Sequence, residues 1–334
     1  DNNNQDGKRT ESVTIYLKAD GTVIRTITVT EQDNWMQTVS NLDVTDEEGN
    51  PIVYTIEEVP VKDYTSKYTI ENDVYIVENI HVPETKELTV EKVWVDNNNQ
   101  DGKRPDSIEV KIINDIEFYK TITLTATDNW TITEQVPVYK DGQKLNYIAE
   151  EILVPDYTSS YEVTDEKITI TNEHIPETKD IVVTKEWNDN NNQDGMRPNS
   201  VVVNVKNGDT IVGTVNLSGT NSWTQTVTEL PIYSEGKEIA YTMEENAIGG
   251  YTPEYVIEGN NFKVINTHEV EKKTITINKI WDDNNNQDGI RPESINVDLR
   301  ASGKLVKSVQ LNNLNNWSMN VTDLDVYSNG ETIE

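Results

Sequence analysis

The chain has 334 residues and carries 28 Lys+Arg against 59 Asp+Glu, a formal net charge of −31. That balance argues against nucleic acid, whose phosphates need a positive surface, and against insertion into or binding to anionic membranes. There are no cysteines, which excludes disulfides, thiolate nucleophiles and cysteine-based metal sites, and there is no apolar run of about 18 residues that could span a bilayer.

The chain opens in the polar turn Asp1-Asn2-Asn3-Asn4-Gln5-Asp6-Gly7, and the same heptapeptide begins again at Asp96, Asp189 and Asp283. Before each later copy stands a short strand ending in tryptophan: Leu88–Trp94, Ile181–Trp187 and Ile275–Trp281. The steps between these tryptophans are 93 and 94 residues, too long for a solenoid repeat, so each repeat is expected to bury its own core. Four repeats follow: 1–86, partial and lacking its first strand; 87–179; 180–272; and 273–334, partial and lacking its last strands. The chain stops inside an unfinished repeat and reads as a piece of a longer protein.

Threonine, valine, isoleucine and tyrosine alternate with polar residues, the period of half-buried strands, and no long window has a helical period. Repeat 2 predicts strands over 88–94, 107–113, 118–125, 130–136, 144–151, 161–164 and 167–172, with a hairpin at Asp141-Gly142. Many short strands at this spacing predict an all-β chain of tandem β-sandwiches. The linkers, such as Ile80-His81-Val82-Pro83-Glu84-Thr85-Lys86-Glu87, are short and not Gly/Ser-rich, which predicts a fairly stiff string.

Three polar residues break the apolar parity of these strands. Side chains two apart share a face, and Leu88, Val90, Lys92 and Trp94 put a lysine there; Lys185 and Lys279 repeat it. Tyr147, Ala149 and Glu151 do the same with a glutamate, as do Glu58 and Glu245. Ile168, Ile170 and Asn172 do so with an asparagine, as do Asn79 and Asn266. Burial disfavours the charged forms of lysine and of glutamate. A neutral amine is a nucleophile, and a protonated carboxyl can polarise an amide carbonyl. Attack of the amine on the amide carbon with loss of ammonia would leave a Lys–Asn isopeptide bond, made once per repeat. The plain alternative for any one repeat is a buried salt bridge beside a polar strand end.

The run Thr184-Lys185-Glu186-Trp187 with Asp189-Asn190-Asn191-Asn192-Gln193-Asp194-Gly195-Met196-Arg197-Pro198, then Tyr241-Thr242-Met243-Glu244-Glu245, then Val264-Ile265-Asn266-Thr267-His268, resembles the Cna B-type domain of Gram-positive surface adhesins and pilins. The likeness covers the whole chain as two full and two partial repeats. It implies a reverse immunoglobulin-like, prealbumin-like sandwich with an internal isopeptide bond. Carried over, Lys92 pairs with Asn172 under Glu151, and Lys185 with Asn266 under Glu245. Glu58 and Asn79 have no partner lysine in this chain, and Lys279 has no partner asparagine. The resemblance also implies an extracellular place on a bacterial cell wall, anchored through regions outside this chain. The expected partners are neighbouring repeats and, through other domains, host matrix. The expected role is a non-enzymatic stalk that needs no cofactor.

The rival is a ligand-binding module whose repeats grip a collagen-like matrix protein or a glycan, although no basic or aromatic cluster supports it. Asn97, Asn99 and Asp101 have part of the spacing of a calcium loop but lack its closing glutamate, where Ile108 stands; an Asx turn is the competing reading. His81, His174 and His268 are expected to make structural contacts, and Arg104, Arg197 and Arg291 to pair with acids at the turn.

Overall fold

The computed structural model describes every residue, Asp1–Glu334, as strands joined by turns, with four single-turn 3-10 segments and no α-helix. Two compact units divide it: Asp1–Asn98 with Lys103–Ile175, and Asn99–Gly102 with Pro176–Glu334.

In the first unit, repeat 2 is a complete sandwich. Its lysine strand, Thr85–Val95, lies between Thr131–Pro137, antiparallel, and the asparagine strand Lys167–Glu173, parallel, with Thr158–Val163 at the edge. Opposite is a three-stranded sheet of the glutamate strand Tyr147–Glu151, then Ser107–Asn114 and Phe118–Thr125. Alternation causes this arrangement. Leu88, Val90 and Lys92 are buried while the residues between them are more open, so the strand has one face for the core. Leu88, Val90, Val110, Ile112, Leu124, Ile168 and Ile170 fill the space between the sheets, each contributing about 1.5–3 kcal/mol by leaving water.

Three expected strands change, and the edge strand expected over 161–164 runs instead over Thr158–Val163, paired along its length with Lys167–Glu173. The segment 144–151 divides into Gln143–Lys144, which pairs with Tyr139–Lys140, and Tyr147–Glu151. Between them Leu145 turns into the core, and Asn146 donates both its backbone N–H and its Nδ2 to Asp115. The strand expected from Trp130 begins at Thr131, because Trp130 is left-handed, with φ 58°.

The second unit repeats the plan in repeat 3. The lysine strand Thr178–Asn188 lies between Thr224–Pro231 and the parallel Asn261–Thr267, with Thr252–Glu258 at the edge. The glutamate strand Tyr241–Glu245 and Thr210–Ser218 flank Ser200–Asn207 in the facing sheet. Residues 272–332 form paired strands around Val309, Leu311, Trp317 and Val321. In the first unit, residues 12–80 form a three-stranded sheet and a hairpin, Thr65–Glu71 with Val74–Ile80. Between these strands lies a cleft of about 1150 Å³, lined by Val13, Ile15, Leu17, Val29, Glu58 and Asn79.

Within each unit, consecutive repeats meet at a glycine joint. Gly142 N–H donates to Gln5 O at 3.0 Å, and a Cβ on Gly7 would lie 2.7 Å from Gly142 Cα. In the second unit Gly330 N–H donates to Gln193 O at 2.9 Å, and a Cβ on Gly195 would lie 2.6 Å from Gly330 Cα. Both Gly7 and Gly195 also have positive φ, so only glycine fits without strain. Asp6 and Asp194 fasten the linkers. Asp6 accepts from Glu84 N–H at 2.7 Å and meets His81 Nε2 at 2.9 Å. Asp194 accepts from Glu271 N–H at 2.8 Å and meets His268 Nε2 at 2.9 Å. The hydrogen bonds to these aspartates raise both histidine pKa values, and His81 and His268 make the structural contacts expected of them. Replacing Gly195 by alanine should break the joint locally. Hydrogen exchange should show the Gly330 amide losing at least about tenfold protection, as for a lost hydrogen bond, while the core amides of repeat 3 stay protected.

Candidate functional site

The three parity-breaking residues of each complete repeat converge. Lys92 and Asn172 stand on adjacent parallel strands, where Lys92 faces Ile170 and Asn172 faces Trp94. The lysine is thus two residues from the asparagine along one sheet face, within reach of a long side chain. Glu151 comes from the facing sheet and closes the gap. Its Oε1 lies 3.3 Å from Lys92 Nζ and accepts from Asn172 Nδ2 at 3.2 Å. In repeat 3, Lys185 Nζ lies 3.6 Å from Glu245 Oε1, and Asn266 is fully buried beside them.

These groups are removed from water. Lys92, Lys185, Glu151 and Glu245 are all buried, and Asn172 and Asn266 are 0% exposed, so no solvent competes for the amide. Burial pushes the Lys92 pKa down from 10.5 to about 8, against the opposing pull of Glu151 and, more weakly, Asp96. Burial likewise brings Lys185 down to about 8, opposed by Glu245 and Asp189. Each ammonium lies over an indole, Lys92 4.5 Å from the Trp94 ring centre and Lys185 4.3 Å from that of Trp187. Near neutrality a small fraction of each lysine is therefore the free amine, far more than an exposed lysine would supply.

The linkage gives a testable sign. Between about pH 8 and 10.5 the folded chain holds fewer protons on Lys92 than the unfolded chain. Stability therefore rises with pH across that window and is lowest below it. In Asn172→Ala, which keeps the lysine free, urea midpoints should climb from about pH 8 to 10 relative to Lys92→Met/Asn172→Ala. A flat difference would mean that Lys92 titrates normally.

The asparagine carbonyls carry a second signal. Asn79, Asn172 and Asn266 Oδ1 are buried without a hydrogen-bond partner, a costly state for a polar atom. In repeat 2 a half-turn of the Asn172 amide would place Oδ1 at Glu151 Oε1, where a protonated carboxyl would donate to it and draw electrons from Cγ. The site thus holds an amine, an amide carbon and an acid between them.

Several residues support the site in ways their place in the sequence did not show. Lys92 N–H donates to Trp130 O at 2.8 Å, Lys185 N–H to Trp223 O at 2.8 Å, and Lys279 N–H to Trp317 O at 2.9 Å. Those tryptophans and the residues before them, Asn129, Ser222 and Asn316, are all left-handed. A bulky residue at positive φ costs of order 1–3 kcal/mol. Packing sustains it: Trp130 meets Trp94 edge-on at 5.1 Å, and Trp223 meets Trp187 at 5.3 Å. Tyr161 and Tyr255 hydroxyls accept from the Glu151 and Glu245 backbone N–H groups at 3.3 and 3.0 Å. Each tyrosine lies ten residues beyond its glutamate, a spacing that would have found it.

The partial repeats hold what remains of the pattern. Asn79 Nδ2 donates to Glu58 Oε1 at 2.8 Å, and Lys279 Nζ lies 4.3 Å from the Trp281 ring centre. In the turns, Arg104, Arg197 and Arg291 each grip the aspartate eight residues earlier at 2.6 Å. Tyr157 and Tyr251 hydroxyls donate to Asp96 and Asp189. Asn97, Asn98 and Asn99 are consecutive left-handed residues, a conformation asparagine tolerates better than most, and Asp101 is buried. In the equivalent turn of repeat 3, Asp189 Oδ1 accepts from Asn192 N–H and Asn192 Oδ1 from Arg197 N–H. Those oxygens serve their own backbone, the Asx-turn pattern.

The family model for the Cna protein B-type domain matches residues 1–80, 88–173, 181–267 and 275–334. The collagen adhesin of Staphylococcus aureus is 39% identical over 344 residues, taking in 100% of this chain and 28% of that protein. The chain therefore spans less than a third of that relative's length. The crystal structure of two B repeat units (B1B2) of the collagen binding protein of Staphylococcus aureus matches with a TM-score of 0.51 and 38% identity, over 99% of this chain and 88% of that one.

Proposed function

The chain belongs to the Cna protein B-type domain family, and from that premise we propose that it is a stalk segment of a bacterial surface adhesin, stiffened by one isopeptide bond in each complete repeat. The single observation that carries this reading is the buried Lys–Glu–Asn cluster, formed twice from residues on three separate strands. In repeat 2 the neutral Lys92 Nζ attacks Asn172 Cγ while Glu151 donates a hydrogen bond to the amide oxygen. The Nζ–Cγ bond forms, Cγ–Nδ2 breaks, and Glu151 carries a proton from Nζ to the departing nitrogen, which leaves as ammonia. Repeat 3 uses Lys185, Glu245 and Asn266 in the same roles. The glutamate ends as it began, yet each repeat reacts once, so there is no turnover.

The strand order explains why such a bond would suit a stalk. Tension enters repeat 2 along Thr85–Val95 and leaves along Lys167–Glu173, neighbouring parallel strands. With Lys92 joined to Asn172 the load crosses between them directly, and residues 93–171 carry none. The repeat boundaries 1–86, 87–179, 180–272 and 273–334 belong to this reading, as does an extracellular location. The relatives are called collagen-binding, but this chain corresponds to 28% of the adhesin, and its role here is to carry rather than to grip.

Pulling the full chain end to end should show no unfolding step from repeats 2 and 3. An unlinked repeat would instead release roughly 80 residues, about 270 Å of contour. Two such steps would contradict the stalk mechanism.

A further inference from the structure

The two complete repeats differ beside the glutamate, and the difference reaches the reacting groups. On the edge strand of repeat 2, Ser159 stands directly opposite Asn172, and its Oγ donates to Glu151 Oε2 at 2.8 Å. Repeat 1 has the same arrangement, with Ser66 opposite Asn79 and bonded to Glu58 Oε2. In repeat 3 the residue opposite Asn266 is Pro253, which has no hydroxyl to give. The consequences follow this divide. With serine present, the asparagine Nδ2 donates to the glutamate Oε1, at 2.8 Å in repeat 1 and 3.2 Å in repeat 2. With proline, Asn266 Nδ2 and Glu245 Oε1 are both buried without a hydrogen-bond partner. The lysine–glutamate distance is also longer, 3.6 Å in repeat 3 against 3.3 Å in repeat 2.

We propose that Ser159 is a positioning residue for bond closure in repeat 2, and that Pro253 leaves repeat 3 without one, so that the two repeats close at different rates. This rests on the isopeptide reading above and deepens it. A carboxyl group has two oxygens, and only Oε1 faces both Lys92 and Asn172. By donating to Oε2, Ser159 fixes the rotation of the carboxyl. It also occupies Oε2 as an acceptor, so a proton that Glu151 carries during the reaction would ride on Oε1, where it meets the amide oxygen and later the leaving nitrogen. In repeat 3 no hydroxyl from the edge strand fixes the rotation, and a proton that Glu245 carries would be divided between two oxygens of which one faces the reactants. Loss of one orienting hydrogen bond corresponds to roughly a tenfold slower closure.

The test uses the full chain made by cell-free synthesis and held near pH 6. The lysines, titrating at about 8, are then mostly ammonium, and closure is slow relative to folding. Samples taken after the tryptophan fluorescence change is complete are quenched and digested. The peptides joining Lys92 to Asn172 and Lys185 to Asn266 are then quantified by mass. Repeat 2 should close roughly tenfold faster than repeat 3. Ser159→Ala should bring repeat 2 down to the rate of repeat 3 and shift its pH–rate profile, while Ser159→Thr keeps the hydroxyl and restores both. Pro253→Ser should accelerate repeat 3 without touching repeat 2. A simple folding defect in Ser159→Ala would not alter the pH profile, and it could not produce the gain in Pro253→Ser. Equal rates in the two repeats, with neither Ser159→Ala nor Pro253→Ser moving them, would overturn the positioning role while leaving both cross-links in place. If neither cross-linked peptide appears in any variant, the isopeptide reading itself fails.

Discussion

Glu151→Ala should leave the full chain heavier than the parent by one ammonia, after allowance for the substitution, and Glu245→Ala should do the same for repeat 3. The double variant should retain both ammonias. The effect is large because the glutamate does two tasks that no neighbour can take over. In the proposed mechanism it is the acid that polarises the amide and the route by which the proton leaves the amine. Positioned acid–base groups contribute about 10²–10⁴-fold in rate, and Glu151 and Glu245 are the carboxylates that Lys92 and Lys185 pair with. The exposed neighbours Glu150 and Glu244 cannot substitute, since Glu244 points outward to Lys206. Glu150→Ala and Glu244→Ala should leave the mass loss intact. The two repeats are independent in this, so each single variant carries its own internal control.

Replacing Lys92 by methionine should have the largest effect on stability. Methionine keeps much of the apolar stem volume and removes the nitrogen that would form the proposed bond. The proposed bond from Lys92 to Asn172 would close a loop of about 80 residues, to which the chain-entropy relation for cross-links assigns about 4.5 kcal/mol. Against a domain stability of about 5–15 kcal/mol that is a major share. Thermal unfolding of the full chain should therefore change from one late transition for the complete repeats to two, with repeat 2 melting first. Lys185→Met should reverse the order. Coincident melting of repeats 2 and 3 in both variants would mean that the bond adds little to either.

Much of this was legible in the residues. Lys92, Glu151 and Asn172 each sit on the apolar parity of a strand, and a period of two was enough to aim all three inward. The sandwich itself was legible for the same reason, because alternation with short turns leaves few other ways to bury these faces. What the sequence hid depends on neighbours that parity does not specify. Ser159 and Pro253 lie on an edge strand, where either side chain looks like an ordinary exposed residue until its partner across the strand is known. Trp130 reads as the start of a strand, yet the 3-10 turn before it forces a left-handed backbone and turns its carbonyl onto Lys92 N–H. Leu145 and Asn146 break an otherwise regular strand because one enters the core and the other binds Asp115. The contact of Gly195 with Gly330 joins residues far apart in the chain, so the glycines looked like turn residues and nothing more.

The most direct measurement is the intact mass of the full chain, followed by digestion and sequencing of any branched peptides. The expected result is a mass lower than the sequence requires by two ammonias, with one branch joining Lys92 to Asn172 and a second joining Lys185 to Asn266, while Asn79 and Lys279 remain unmodified. An unshifted mass, with both lysines recovered in linear peptides, would contradict the cross-link. Lys92 and Lys185 would then be buried ion pairs with Glu151 and Glu245 in a row of ordinary sandwiches.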